Sequence, residues 1–380
     1  MLMQHIAIIT TSFPQNVPGS EAAGSFVFDF ATELVKHTKV SVIAPGKETS
    51  TDNQDGISIN RFLVPRLPLA QLSIINPCHW LAIYRTVWGG MQYVSDLCRT
   101  EQYDYIFALW ALPSGYWAGK VRRSFNTRYA VWALGSDIWK FSDRPLLKNI
   151  LRKVLVEADQ CFADGHLLKK DVERISGRSC HFLPSARKIN IEQPPDKHHS
   201  SPYRIAYLGR WHPNKGIDLL LQSLAMLDDR DWNKIEEIKI CGGGMLESIV
   251  SDSIQKLKSS GRPVTQGGYL SKEEATDLIK WADYLLIPSR IESIPVIFSD
   301  AMQCNTPVIA MPVGDLPEII IRNNVGLIAE EVSAPAYTDV LRKALSSSPH
   351  KYKKGISEVR EKFDIRNIVN RFLVIINDNQ

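Results

Sequence analysis

The chain has 380 residues, 44% hydrophobic and 23% charged, a balance that excludes intrinsic disorder. At this length a single hydrophobic core has passed its usual size, so two domains are expected. The net charge of +4 is too low for a nucleic-acid binder, and no stretch of about 18 consecutive apolar residues offers a spanning helix.

The N-terminus, MLMQHIAIITTSFPQ, has no basic region ahead of a long apolar core and reads as a first strand, not a signal peptide. From there short β-rich runs alternate with helical stretches. HIAIIT (5–10) precedes an amphipathic segment at 26–37, followed by VSVIAP (40–45), YIFALW (105–110), YAVWAL (129–134) and a weaker strand at 160–163. Strands separated by helices imply βαβ units and a parallel sheet. The segment 190–202, with three prolines and adjacent histidines, reads as a linker. Alternation resumes with YRIAYLG (203–209), EIKICGGG (237–244), DYLLIPS (283–289) and PVIAMP (307–312). The last segment, 365–378, is amphipathic and is expected to dock on the first domain. The expected architecture is therefore α/β: two tandem Rossmann-like parallel-sheet domains, 1–189 and 203–364, facing a cleft where open sheets bind ligands.

Residues 1–190 carry 22 Lys and Arg against 16 Asp and Glu, and the remainder 23 against 25. A basic first half fits contact with an anionic membrane surface or an anionic substrate. The most lipid-like stretch, 62–91, mixes aromatic and apolar residues with Arg66 and Arg85. It suits an interfacial face, an acceptor groove or a partly buried insertion. Lys120, Arg122, Arg123 and Arg128 add basic positions nearby in sequence. The six cysteines form no C-x-x-C pair and read as buried thiols of a reducing cytoplasm. No His or Cys grouping has metal-ligand spacing, His198 and His199 included, so no metal is expected. Asp229 and Asp231 read as a loop, and Gly242–Gly244 does not complete G-x-G-x-x-G because Glu247 takes the last place.

Two stretches carry chemistry. In YLGRWHPNKGIDLLLQSL (207–224), Arg210 and Lys215 bracket a turn between a strand and a helix. Two cations there can converge on one anion, helped by the free N–H groups of the helix start. In SRIESIPVIFSDAMQCNTPVIAMPVGDLPEII (289–320), Glu292 precedes a helix expected to begin near Pro295, and Asp300 lies inside it. The two acids are then about 10 Å apart, a separation suited to opposite ends of an extended ligand.

GRWHPNKG, SRIESIPVIFSDAMQCNTPVIA and VGDLPEII together resemble the family-four retaining glycosyltransferases of GT-B fold, whose hallmark is Glu, seven residues, Glu. The resemblance covers most of 203–330, and more loosely SFPQNVPGSEAAGSFVFDFATEL and LGSDI. It implies that Arg210 and Lys215 hold the diphosphate of a nucleotide-sugar and that Glu292 meets hydroxyls of its sugar. Amides around Ser293 and Ile294 would assist, Asp300 would take the ribose diol, and Gly24 would let backbone approach the phosphates. Gly242–Gly244, with Gly243 at its centre, and the Gly268–Tyr269 turn would flank the base. The donor is a substrate, so no cofactor is implied. The reaction would be metal-independent, hexosyl-type transfer with retention, in polysaccharide or lipopolysaccharide biosynthesis, to a saccharide or lipid-linked acceptor. The implied location is the cytoplasm, peripheral at the inner face of the membrane.

The chain departs from the pattern at several places. Asp300 replaces the second Glu, Leu109 and Leu134 stand where His is usual, and LPSARKI (183–189) replaces a Pro followed by Asn-Gly-Val. Asp137 is retained and is the polar candidate, with Glu292, Arg210 and Lys215, for the catalytic set. Two alternatives stay open: a nucleotide-sugar epimerase of the same architecture, and a non-catalytic nucleotide-sugar-binding partner of another transferase.

Overall fold

The computed structural model describes residues 5–15, 24–69, 72–189, 191 and 196–378. The loop expected to run through 16–23, and residues 190 and 192–195 of the expected linker, lie outside the described residues.

Contacts divide the chain into two units, Met1–Pro184 with Ile365–Gln380, and Ser185–Asp364. The first holds β1 (His5–Ile9), α1 (Ser25–Leu34), β2 (Lys39–Gly46), β3 (Ser50–Gln54), β4 (Ile57–Leu63), α2 (Trp80–Thr100), β5 (Tyr105–Leu109), α3 (Tyr116–Phe125) and β6 (Arg128–Ala133). It continues with α4 (Ser136–Ser142), α5 (Pro145–Glu157), β7 (Gln160–Ala163), α6 (His166–Ser176) and β8 (His181–Phe182). Among the described residues these strands form an eight-stranded sheet, β3-β4-β2-β1-β5-β6-β7-β8. Pairing is parallel throughout except between β3 and β4. β1 and β5 are buried along their whole length, which is why they read as unbroken apolar runs and not as alternation. β3 and β4 were not foreseen. Gln54 pairs with Ile57 across Asp55 and Gly56, both at positive φ, the two-residue hairpin that matches strand twist.

The second unit holds β9 (Tyr203–Arg210), α7 (Ile217–Ala225), α8 (Asp229–Trp232), β10 (Ile235–Gly243), α9 (Glu247–Ser259), β11 (Val264–Gly267), α10 (Lys272–Trp281) and β12 (Tyr284–Ile287). It continues with α11 (Val296–Gln303), β13 (Val308–Ala310), α12 (Leu316–Asn323), β14 (Gly326–Ile328), α13 (Ala334–Leu345) and α14 (Lys353–Arg360). Its sheet, β11-β10-β9-β12-β13-β14, is parallel throughout, and strand order reverses at β9. Both sheets, eight- and six-stranded, are of the Rossmann-like class expected from the alternation.

Two observations modify the expected boundaries. The second unit begins at Ser185, and part of the expected linker is packed: Lys197 is buried, its Nζ donating to Lys280 O at 2.9 Å and Ala282 O at 2.8 Å. It thereby satisfies carbonyls that the end of α10 leaves without helical partners. The last helix, α15 (Ile365–Asn377), lies on the first unit, where Phe372 meets Phe30, Phe107 and Phe162 at ring distances of 5.5, 4.2 and 5.5 Å.

Candidate functional site

The reversal of strand order at β9 leaves the loops after β9 and β12 with no crossover above them, the place where open α/β sheets take ligands. The chain brings these two loops into contact through glycine. Gly216, at φ +65°, begins α7, and a Cβ on it would lie 1.8 Å from Pro288 O. Only a residue without a side chain lets the loops approach so closely.

Arg290 fastens the contact. Its N–H donates to Asn214 O at 2.8 Å and Nη1 to Pro213 O at 2.6 Å. The guanidinium also grips Asp218 bidentately, Nη1 to Oδ1 at 2.7 Å and Nη2 to Oδ2 at 2.6 Å. The hydrogen bond from Arg290 holds the Asp218 carboxyl below its ordinary pKa, and Asp218 in turn raises that of Arg290. Neither residue was singled out from sequence, although both neighbour ones that were.

This clamp sets Lys215 against Glu292, and the two form an ion pair. Ser289 Oγ donates to the same Glu292 oxygen at 3.1 Å. Gly314, at φ +55°, packs behind them, since a Cβ there would meet Glu292 O and Ser293 O at 2.3 Å. Ser293 Oγ is buried with no hydrogen-bond partner among the described residues. Ile294 is buried just ahead of α11. Arg210 ends β9 and is exposed. Gly243 ends β10 opposite it in register and backs onto the half-exposed Tyr269 ring, 2.6 Å from where a Cβ would stand. The second unit thus gathers Arg210, Lys215, Glu292, Ser293, Gly243 and Tyr269 at the carboxyl ends of β9, β10, β11 and β12.

Asp300 has a different setting. It is buried inside α11, and Oδ2 accepts from Arg187 Nε at 2.9 Å and from Nη2 of the same side chain. The shorter acid and the LPSARKI segment, two separate departures in sequence, are one ion pair in space. In the first unit, Gly24 starts α1 at φ +79°, with a would-be Cβ 2.4 Å from Ser12 O. Asp137, 2% exposed in the first turn of α4, accepts from Ala111 N at 2.6 Å and Leu134 N at 3.1 Å. It ties the turns after β5 and β6 together. Burial pushes its carboxyl up to about 6, against the pull of backbone N–H groups. Leu109 is fully buried at the end of β5.

A pair of parallel α/β units, one with cations and an acid at its switch point, defines an architecture of the GT-B type. The family model for glycosyl transferases, group 1, matches residues 189–362. D-inositol 3-phosphate glycosyltransferase of Corynebacterium aurimucosum is 28% identical over 158 residues, which is 41% of this chain and 38% of that protein. The match thus spans well under half of that relative's length. Sucrose-phosphate synthase from Thermosynechococcus elongatus superposes with TM-score 0.77 at 16% identity, covering 99% of both chains. HepE of Anabaena, in complex with UDP-glucose, superposes with TM-score 0.72 at 14% identity, covering 100% of both. The second unit is thus similar to the group 1 glycosyltransferases, and the fold of the chain is of the GT-B class.

Proposed function

We propose that the chain is a retaining, metal-independent glycosyltransferase. It moves a hexosyl-type sugar from a nucleoside-diphosphate sugar to a saccharide or lipid-linked acceptor of a surface glycan, at the inner face of an anionic membrane. The observation that carries this reading is the Lys215–Glu292 pair, held by the Arg290–Asp218 clamp at the switch point of the second sheet. A donor entering there would take Lys215 and Arg210 by its diphosphate and Glu292 by its sugar hydroxyls. The two cations would meet the charge that develops on the leaving diphosphate, the term that dominates such reactions. The free hydroxyl of buried Ser293 supports an additional contact to the donor. Tyr269 against Gly243 supports a stacking surface for the base. Asp300, bonded to Arg187, would meet the ribose only together with that guanidinium. Asp137 acts in this reading as a positioning residue for the turns after β5 and β6, while Gly24 keeps α1 close to the chain after β1. The UDP-glucose bound by HepE supports a UDP-sugar as the first donor to test.

The test is a thermal-shift titration with UDP, GDP, ADP and their sugar conjugates. A nucleotide at about 100 times its dissociation constant adds about 2.7 kcal/mol of stability. Lys215→Ala should abolish the diphosphate-dependent shift. Glu292→Gln should keep the shift with UDP, lose the increment due to the sugar, and stop transfer. The proposal fails if no nucleotide stabilises the wild type, or if Lys215→Ala responds as the wild type does.

The burial of Leu109 favours a second reading, a nucleotide-sugar-binding partner of another transferase. Donor binding without turnover across a panel of saccharide and lipid-linked acceptors would select it. An epimerase would instead convert the donor sugar with no acceptor present.

A further inference from the structure

Helix α2 is buried only at Thr86, Gly90 and Val94, with Met91, Tyr93, Leu97 and Cys98 of its second half packed partly against the same core. Gly90 lies against Trp117 of α3, where a Cβ would come within 2.5 Å of the indole, and Trp117 Nε1 donates to Val87 O at 2.9 Å. The outward face changes character at its middle. Trp80, Leu81, Tyr84 and Trp88 are each between 48% and 62% exposed, whereas Gln92, Asp96 and Arg99 continue the same face as polar residues. Tyr84 and Trp88 stack on each other at 6.3 Å, and Trp80 donates its indole N–H to Ile74 O at 2.8 Å. Ile75, just ahead of the helix, is 76% exposed.

The charges around this patch have one sign. No Asp or Glu occurs between Asp55 and Asp96, a run that contains Arg61, Arg66 and Arg85. Arg66 and Arg85 are exposed, and neither forms an ion pair among the described residues. Some basic residues elsewhere in this unit are paired within the fold: Arg122 and Arg128 face Asp159, and Arg123 faces Glu157. The aromatic patch thus has beside it positive charge that is unpaired among the described residues, and no acid along the chain from 56 to 95.

We propose that the first half of α2, Trp80 to Trp88 with Ile75, is the face by which the chain docks on an anionic lipid bilayer. The proposal rests on the peripheral location given above and assigns it a surface. Trp and Tyr, apolar bodies with one polar atom, suit the headgroup level, and Arg66 and Arg85 meet the lipid phosphates. The switch to polar residues at Gln92 fits a helix dipping one end into the interface. It does not fit a helix laid full length along a second copy, which would continue the apolar stripe.

The experiment is sedimentation of the full chain with vesicles of equal parts phosphatidylcholine and phosphatidylglycerol, beside vesicles of phosphatidylcholine alone. The wild type should bind the anionic vesicles and release them between about 0.1 and 1 M salt. Each of Trp80→Ser, Tyr84→Ser and Trp88→Ser should lower the partition coefficient by about tenfold. Arg66→Gln and Arg85→Gln should each lower it about fivefold on the anionic vesicles only. These side chains are exposed, so circular dichroism and Tm should match the wild type. A polarity-sensitive label on exposed Cys78 should shift to the blue on binding. The inference is overturned if the triple aromatic variant binds as the wild type does, which leaves a peripheral location by another face. It is also overturned if the wild type ignores anionic vesicles; the nucleotide-dependent Tm of the same sample then reports separately on the transferase reading. A wild-type dimer that the triple variant turns into monomer would assign the face to a second copy instead.

Discussion

Asp137 is an acid whose neighbours all donate. Both oxygens accept backbone N–H groups, yet burial raises its pKa from the ordinary 3.8 to about 6. Between those values the folded chain holds a proton at this site that the unfolded chain has released. The stability it contributes is full below about pH 4 and is lost as pH rises through about 6. Urea melts should show wild type losing about 2–3 kcal/mol relative to Asp137→Asn between pH 4 and pH 7. A constant difference across that range would return Asp137 to an ordinary carboxyl. Arg210, Lys215 and Glu292 were legible in sequence because each stands at a strand-to-helix junction, where a short motif fixes the geometry. Arg187 was not legible as the partner of Asp300, because the pairing joins residues 113 positions apart and no local pattern encodes it.

Burial along the whole length made several strands legible, although β4, largely buried with a mixed ISINRFL sequence, was missed. Fully buried parallel strands such as β1, β5 and β12 are apolar runs that stand out from their surroundings. β3, with an exposed STDNQ face, β11 (VTQG) and three-residue β14 bury too little to leave a signal. The Asp55-Gly56 pair between Gln54 and Ile57 is a hairpin mark that was there to be read. Lys197 shows the opposite failure, since a cation among prolines and histidines looks like linker until the carbonyls at the end of α10 are seen to receive it. The docking of α15 is an aromatic one, Phe372 among Phe30, Phe107 and Phe162. Phe372→Ala should cost about 3–5 kcal/mol in denaturant unfolding, the range for emptying a large buried site. A loss under about 1 kcal/mol would mean that α15 contributes little to the first unit.

The chain passes between its units twice, after Pro184 and after Asp364, so the second unit is an insertion within the first. Two domains were expected from length, but the chain crosses after Pro184, ahead of the linker expected at 190–202, which falls within the second unit. The division of the sheets into eight and six strands did not, because edge strands carry the weakest patterns. Residues 185–364 hold a complete sheet, its helices and the Lys215–Glu292 pair. Expressed alone, they should fold and keep the nucleotide-dependent rise in Tm. A fragment that stays unfolded would show that this sheet needs the rest of the chain.

The insertion also sets a timetable. Phe30, Phe107 and Phe162 leave the ribosome long before Phe372, with the whole second unit translated in between. At the usual rates of about 5–20 residues per second, that interval is roughly 10–40 s. For its duration the nascent first unit lacks the helix that covers its aromatic cluster, whereas the second unit has everything its own sheet requires once residue 364 is made. The segment made last completes the one begun first.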